Sequence, residues 1–327
     1  MRNYLYVVAG LTLSATLAQA ETPVLTVYTY DSFTAEWGPG PLIETAFEVQ
    51  CGCDLQFVSS GDGAALLARV LLEGAGTEAD VVLGLDTNLT AKAQDSGLFA
   101  PHGVTAALDL PVEWSDDTFL PYDWGWFAFV GNVGGEMPAN FRELADSDLK
   151  IVIEDPRSST PGLGLLLWVK QAYGDQAADI WTKLADNIVT VTPGWSEAYG
   201  LFLSGEADLV LSYTTSPAYH LIAENDATKV ALPFDEGHYL QVEVAAKVAG
   251  TDVPELADAF MVFIVSDAFQ TVIPTTNWMY PAVTLDAGLP EGFETLIQPE
   301  QSLLLTSTEA AAMRDGALEE WRAALSQ

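Results

Sequence analysis

Residues 194–220 read GWSEAYGLFLSGEADLVLSYTTSPAYH. This stretch sets the fold class: a helix opening at Trp195 behind Pro193-Gly194, an apolar strand over 207–212, then a polar, aromatic turn. That order puts Trp195, Tyr213, Ser216 and Tyr219 on two neighbouring loops that can share one cleft. Aromatic faces and hydroxyls suit a flat, cationic small molecule better than a sugar or a metal ion.

The same alternation runs outward in both directions. On the N-terminal side, strands are expected at 24–30 (VLTVYTY), 54–59 and 79–85 (ADVVLGL), with helices at 41–49, 63–73 and 88–94. A second set has strands at 126–130, 150–153 and 188–191 and helices at 141–145, 162–173 and 177–184. Beyond the opening stretch, 238–248 (HYLQVEVAAKV) alternates like a strand with one open face. Residues 253–265 form a helix with Leu256, Phe260 and Ile264 on one side, and 308–325 an amphipathic terminal helix. Regular strand–helix alternation predicts an α/β fold with a mostly parallel sheet. No repeat, low-complexity run or flexible linker separates the two sets. Two lobes are therefore expected to be joined through strands, outward at 121–125 and back at 237–243, which makes a hinge with a cleft beside it. The divisions are 21–122 for the first lobe, 123–237 for the second, 238–285 returning to the first, and a helical segment 286–327 whose lobe is left open.

The N-terminus reads as an export signal over residues 1–20. Arg2 gives a positive start, 5–17 is apolar and shorter than the about 20 residues of a membrane span, and Ala18-Gln19-Ala20 is a small-x-small cleavage site. The mature chain is then soluble and exported. Net charge is −34, so the phosphate backbone of a nucleic acid would be repelled and nucleic acid is excluded as a partner. The acidity is compatible with attracting a cation and equally with a solvated surface. The only cysteines, Cys51 and Cys53, flank one Gly, and an oxidising compartment predicts a small bridge between them. Three His (His102, His220, His238) show no zinc spacing, and no phosphate-cradling Gly-x-x-x-x-Gly-Lys run is present, so any ATP hydrolysis belongs to a partner.

Six runs together resemble a known family: VLTVYTYDSF (24–33), ADVVLGLD (79–86), DPRSSTPGLGLLLW (155–168), VTPGWSEAYGLFL (191–203), LVLSYTTSPAYH (209–220) and NWMYP (277–281). They are similar to the periplasmic thiamine-binding proteins, the solute receptors of thiamine ABC importers. The resemblance spans nearly all of the mature chain. It implies a type II periplasmic-binding-protein fold and capture of thiamine, with its mono- and diphosphate, by a monomeric periplasmic receptor. The captured vitamin would pass to an inner-membrane permease with its ATPase subunit; no cofactor or catalytic residue is implied. Carried over position by position, its ligand set is Asp62 and Gly63, Ser159 and Thr160, Trp195, the turn Tyr213, Thr214, Thr215 and Ser216, then Tyr219, Trp278 and Tyr30.

The residues bear this chemistry on their own terms, with alternatives open. Asp62 is placed to accept from an exocyclic amine or offset a ring cation, or to cap the helix that follows it. Ser159 and Thr160, ahead of Pro161-Gly162, suit an anionic tail at a helix start or simple capping. Trp37, Trp124, Trp126, Trp168, Trp181 and Trp321 are assigned to packing or hinge surfaces. Three other functions share these features: a ferric-ion receptor using Tyr213 and Tyr219, a thiamine-cleaving enzyme using a Cys nucleophile, and a polyamine receptor.

Overall fold

The computed structural model describes residues 22–326. The expected export signal, residues 1–20, lies outside them. The described residues form twelve strands: β1 (Val24–Thr29), β2 (Asp54–Ser59), β3 (Val81–Asp86), β4 (Phe99–Ala100), β5 (Phe119–Asn132), β6 (Ile151–Glu154), β7 (Ile188–Thr192), β8 (Leu209–Tyr213), β9 (Lys229–Ala231), β10 (His238–Val248), β11 (Tyr280–Pro281) and β12 (Ser302–Leu303). The helices are α1 (Asp31–Thr34), α2 (Gly40–Cys51), α3 (Gly63–Glu73), α4 (Thr90–Asp95), α5 (Phe141–Asp146), α6 (Thr160–Tyr173), α7 (Ala177–Leu184), α8 (Trp195–Leu203), α9 (Pro217–Ala223), α10 (Pro254–Ile264), α11 (Asp267–Gln270) and α12 (Ser307–Leu325).

Strand order is β2-β1-β3-β10-β5-β8-β6-β7. Parallel pairs β1–β2 and β1–β3 form one end, and β6–β7 and β6–β8 the other. Between them run the two longest strands, antiparallel to their neighbours. Strand β5 pairs with β10 through Phe119–Trp126 and with β8 and β9 from Phe127 onward. One strand thus serves two sheets, with the handover between Trp126 and Phe127. The sequence pattern located only its second half, because Pro121 and Gly125 interrupt the first.

Each sheet buries both faces. On β1, Leu25 and Val27 pack with Phe33, Ile43, Phe47 and Phe260, whereas Tyr28 faces the opposite side with Leu67 and Val82. Strand β10 corrects the expectation of an open face. It is buried almost throughout, including Gln241 and Glu243, because β3 and β5 flank it and helices cover it. Helix α6 is buried from Thr160 to Val169, as its all-round apolar run TPGLGLLLWV requires. Helix α12 begins with a capping box between Thr306 and Glu309 and packs on α4, α6 and α7, with Lys170 paired to Glu320 at 2.7 Å. The terminal helix therefore packs on α6 and α7 of the second sheet and also touches α4 of the first, while β12 pairs with β10. The Cys51 and Cys53 sulfurs are bonded to each other. No single helix among the described residues is long and apolar enough to cross a membrane.

Candidate functional site

A cavity of about 510 Å³ lies between the two sheets. From the first-sheet side come Tyr30, Ser32, Trp37, Asp62, Glu243 and the segment Thr275–Met279; from the second come Thr160, Pro161, Trp195, Ser196, Tyr199, Tyr213, Ser216 and Tyr219. The four residues of the opening stretch do share one cleft. Trp195, at the first turn of α8, stacks on Tyr199 (4.9 Å between ring centres) and donates its indole N–H to Ser212 Oγ at 2.8 Å. Ser212 bonds Ser216 Oγ at 2.7 Å, which ties the Trp195 ring to the turn after β8. Tyr219 meets Trp278 edge to face at 5.4 Å.

Trp278 is held unusually. It ends a single π-helical turn, Ile273–Asn277, and its backbone is left-handed with φ 57°. A bulky residue there costs of order 1–2 kcal/mol, a strain found at functional positions. The turn is anchored by Asn277, whose amide donates to Asp123 Oδ2 at 2.6 Å and to the Tyr30 hydroxyl at 3.0 Å. Tyr30 itself fits because Gly84 has no side chain: a Cβ there, at φ 108°, would sit 2.2 Å from the ring.

Among the described residues, two carboxylates face the cavity and no Lys, Arg or His does. Asp62 precedes α3, yet its side chain makes no capping bond. Its Oδ2 instead accepts from Ser159 Oγ at 2.8 Å and from the Trp195 backbone N–H at 3.2 Å, both across the cleft. Burial pushes its pKa up to about 6, against the lowering effect of those two donors. Glu243, on β10, accepts at Oε2 from Tyr122 (2.6 Å) and Tyr30 (3.0 Å). Burial raises Glu243 too. Its neighbour Asp123 is raised as well, first by burial and then by the Glu243 charge, so the two carboxyls titrate as a pair.

Of the twelve residues named from sequence, Tyr30, Asp62, Thr160, Trp195, Tyr213, Ser216, Tyr219 and Trp278 line the cavity. Four do not. Ser159 is fully buried, bonded to Asp62 and to the Gly162 N–H, and acts behind the wall. Gly63 leaves room where the halves meet: a Cβ would come within 2.3 Å of Thr160 Oγ1 and 2.7 Å of the Gly84 carbonyl. Thr214 is buried and faces a separate small cavity, and Thr215 is buried with its hydroxyl against Met279 sulfur. A turn reverses side-chain direction within one residue, so its four members cannot all point the same way.

Reading the sequence alone missed Glu243, Asn277 and Trp37. Glu243 was hidden by treating β10 as half-solvated; a carboxylate inside an eleven-residue strand that is otherwise largely apolar was the available signal. Trp37, assigned to packing or hinge surface, is 55% exposed, lines the cavity and lies 6.3 Å from Trp195 across the cleft.

An aromatic cavity between two sheets joined through shared strands is the kind of site a solute receptor uses. A model of bacterial extracellular solute-binding proteins matches residues 41–275. The thiamine-binding periplasmic protein of Escherichia coli (strain K12) is 54% identical over 310 residues, covering 93% of this chain and 94% of that one. Its counterpart in Brucella melitensis (biotype 1) is 50% identical over 328 residues, covering 99% and 97%. A solved periplasmic thiamin binding protein superposes with a TM-score of 0.92 at 52% identity, covering 97% of this chain and all of that one. The chain belongs to the bacterial extracellular solute-binding proteins, in the family of the periplasmic thiamine-binding proteins, and has their type II periplasmic-binding-protein fold.

Proposed function

We propose that this protein is a periplasmic receptor that captures thiamine, with its mono- and diphosphate, and delivers it to an ABC importer. The observation that carries the reading is the pairing of aromatic faces with two carboxylates and no cationic side chain in one cavity of about 510 Å³. That volume suits a ligand of vitamin size. A thiazolium cation over a Trp or Tyr face gains about 0.5–2 kcal/mol, and more once water is excluded. Asp62 offsets the ring charge. The hydroxyl tail, with or without phosphate, is assigned to the N-terminal ends of α6 and α8, where Thr160 and Ser196 offer hydroxyls and the helix dipoles favour an anion.

Capture works by hinge closure. The lobes are taken as 21–122 with 238–285, and 123–237, with 286–327 on the second. The crossing strands β5 and β10 bend while ligand contacts to both lobes favour the closed state. Asp62 belongs to one lobe and its donors Ser159 and Trp195 to the other, so these bonds form on closure. The protein works as a monomer with an inner-membrane permease and its ATPase subunit.

The alternatives are disfavoured by particular atoms. A ferric site needs phenolate ligands, but Tyr213 donates to Gln241 at 2.7 Å, and burial raises it well above an ordinary phenol. His220 has both ring nitrogens engaged, by Tyr199 and Glu224. A cysteine nucleophile is missing among the described residues, since Cys51 and Cys53 are bonded to each other away from the cavity, so the protein is read as a binder and not an enzyme. The test is quenching of Trp fluorescence by thiamine in ligand-stripped protein, with spermidine as competitor. Saturable quenching that spermidine does not reverse is expected. Quenching by spermidine or ferric ion and none by thiamine would refute the reading.

A further inference from the structure

Glu243 is the cavity's second carboxylate, and its hydrogen bonds are one-sided. The hydroxyls of Tyr30 and Tyr122 both end on Oε2. Oε1 accepts from no N–H or hydroxyl among the described residues, yet it is not one of the sealed polar atoms left without a partner. It therefore opens on the cavity that Glu243 lines. Asp62 has the same arrangement, with Oδ2 held by protein donors and Oδ1 left over. The two differ in their surroundings. Asp62 sits by the starts of α6 and α8, where the ligand's tail is assigned. Glu243 sits on β10 among Tyr30, Tyr122, Asp123 and Asn277.

We infer that Glu243 is the specificity-determining residue for the ring amino group: Oε1 accepts a hydrogen bond from the exocyclic amine of an aminopyrimidine-type ligand. The inference rests on the thiamine reading above and deepens it. Tyr30 and Tyr122 both donate to Oε2, so in the ionised carboxylate they fix which oxygen is spent and leave the other as an acceptor. A ligand bearing a carbonyl oxygen at that place would meet an oxygen with no proton between them, and a buried acceptor left unpaired is the means by which such sites reject near-isosteres.

The test follows from the polarity. In Glu243→Gln the two tyrosine hydroxyls hold the amide oxygen at the Oε2 position, which leaves the amide NH2 at the cavity. The acceptor has become a donor with almost no change in shape. Calorimetric titration of wild type and Glu243→Gln is run with thiamine and with oxythiamine, the analogue whose amino group is replaced by oxygen. Wild type is expected to favour thiamine by about tenfold or more, and the variant to lose or reverse that preference. The ratio of the two affinities within one protein does not depend on how much of the sample is folded. Equal affinities in wild type would overturn the inference, whether or not the variant folds. So would a Glu243→Gln variant that keeps the wild-type ratio. Failure of wild type to bind thiamine at all would sink the underlying reading instead, a different and distinguishable result.

Discussion

Replacing Asp62 separates what its charge contributes from what its hydrogen bonds contribute. In Asp62→Ala both cross-cleft bonds disappear, and the Trp195 N–H, at the start of α8, loses its acceptor. Ser159 keeps a weaker role through the Gly162 N–H at 3.5 Å. Hydrogen bonds to a charged group are worth about 1.5–3 kcal/mol each, and these two share one oxygen, so they do not add fully. Loss of one such bond in the closed state alone predicts a thiamine Kd raised about tenfold to hundredfold. In Asp62→Asn the amide oxygen still accepts from both donors, so only the charge is lost and a rise of about tenfold is expected at pH 7.5. Acidification supplies the internal control. Burial in the closed arrangement pushes Asp62 up to about 6, so at pH 5 a proton competes with a bound cation for this carboxylate. Wild-type affinity should fall as pH drops below 6, while Asp62→Asn changes less and the two curves converge. Isothermal titration of ligand-stripped protein at both pH values reads all of this. Both variants staying within twofold of wild type at pH 7.5 would refute the reasoning.

Three further outcomes are expected. Trp195→Ala removes a ring face and the indole bond to Ser212, and should weaken thiamine binding at least about tenfold in a fluorescence or calorimetric titration. Gly63→Ala places a methyl within 2.3 Å of Thr160 Oγ1 and 2.7 Å of the Gly84 carbonyl, so it should raise the thiamine Kd by impairing closure and should also lower the melting temperature. Ligand-free protein should melt higher at pH 5 than at pH 8. Asp62 and Asp86 have folded pKa values raised by burial to about 6 and about 7, so their stabilising contribution is complete below the ordinary carboxylate value and is lost as pH rises through 6–7. His238, lowered by burial, opposes this as a single group. A melting temperature that falls steadily from pH 8 to pH 5 in a scanning fluorimetry series would contradict that balance.

Much of the architecture was legible because strand–helix alternation is a local signal. Strand β2, helix α7 and strand β10 were bounded from sequence as the structure has them, at 54–59, 177–184 and 238–248. What was not legible depends on neighbours. Strand β5 runs through Pro121 and Gly125, which local propensity treats as breaks, and only pairing with β10 makes the strand continuous. The burial of Glu243 follows from β10 being central, a fact of topology that period-two alternation cannot express. The cavity shows the same division. The Trp195 and Tyr219 rings were readable from a compact run, whereas Trp37 joins them across the cleft from more than 150 positions earlier in the chain. Asn277 depends on a π-helical turn that has no sequence signature of its own.

The central claim is that two hinged lobes close around a flat organic cation. Calorimetric titration of the refolded, ligand-stripped protein with thiamine, its monophosphate and its diphosphate tests it most directly. The account predicts one saturable site per chain, with a negative heat-capacity change as the aromatic cavity is buried on closure. No heat with any of the three forms, under conditions where the protein is folded, would contradict it.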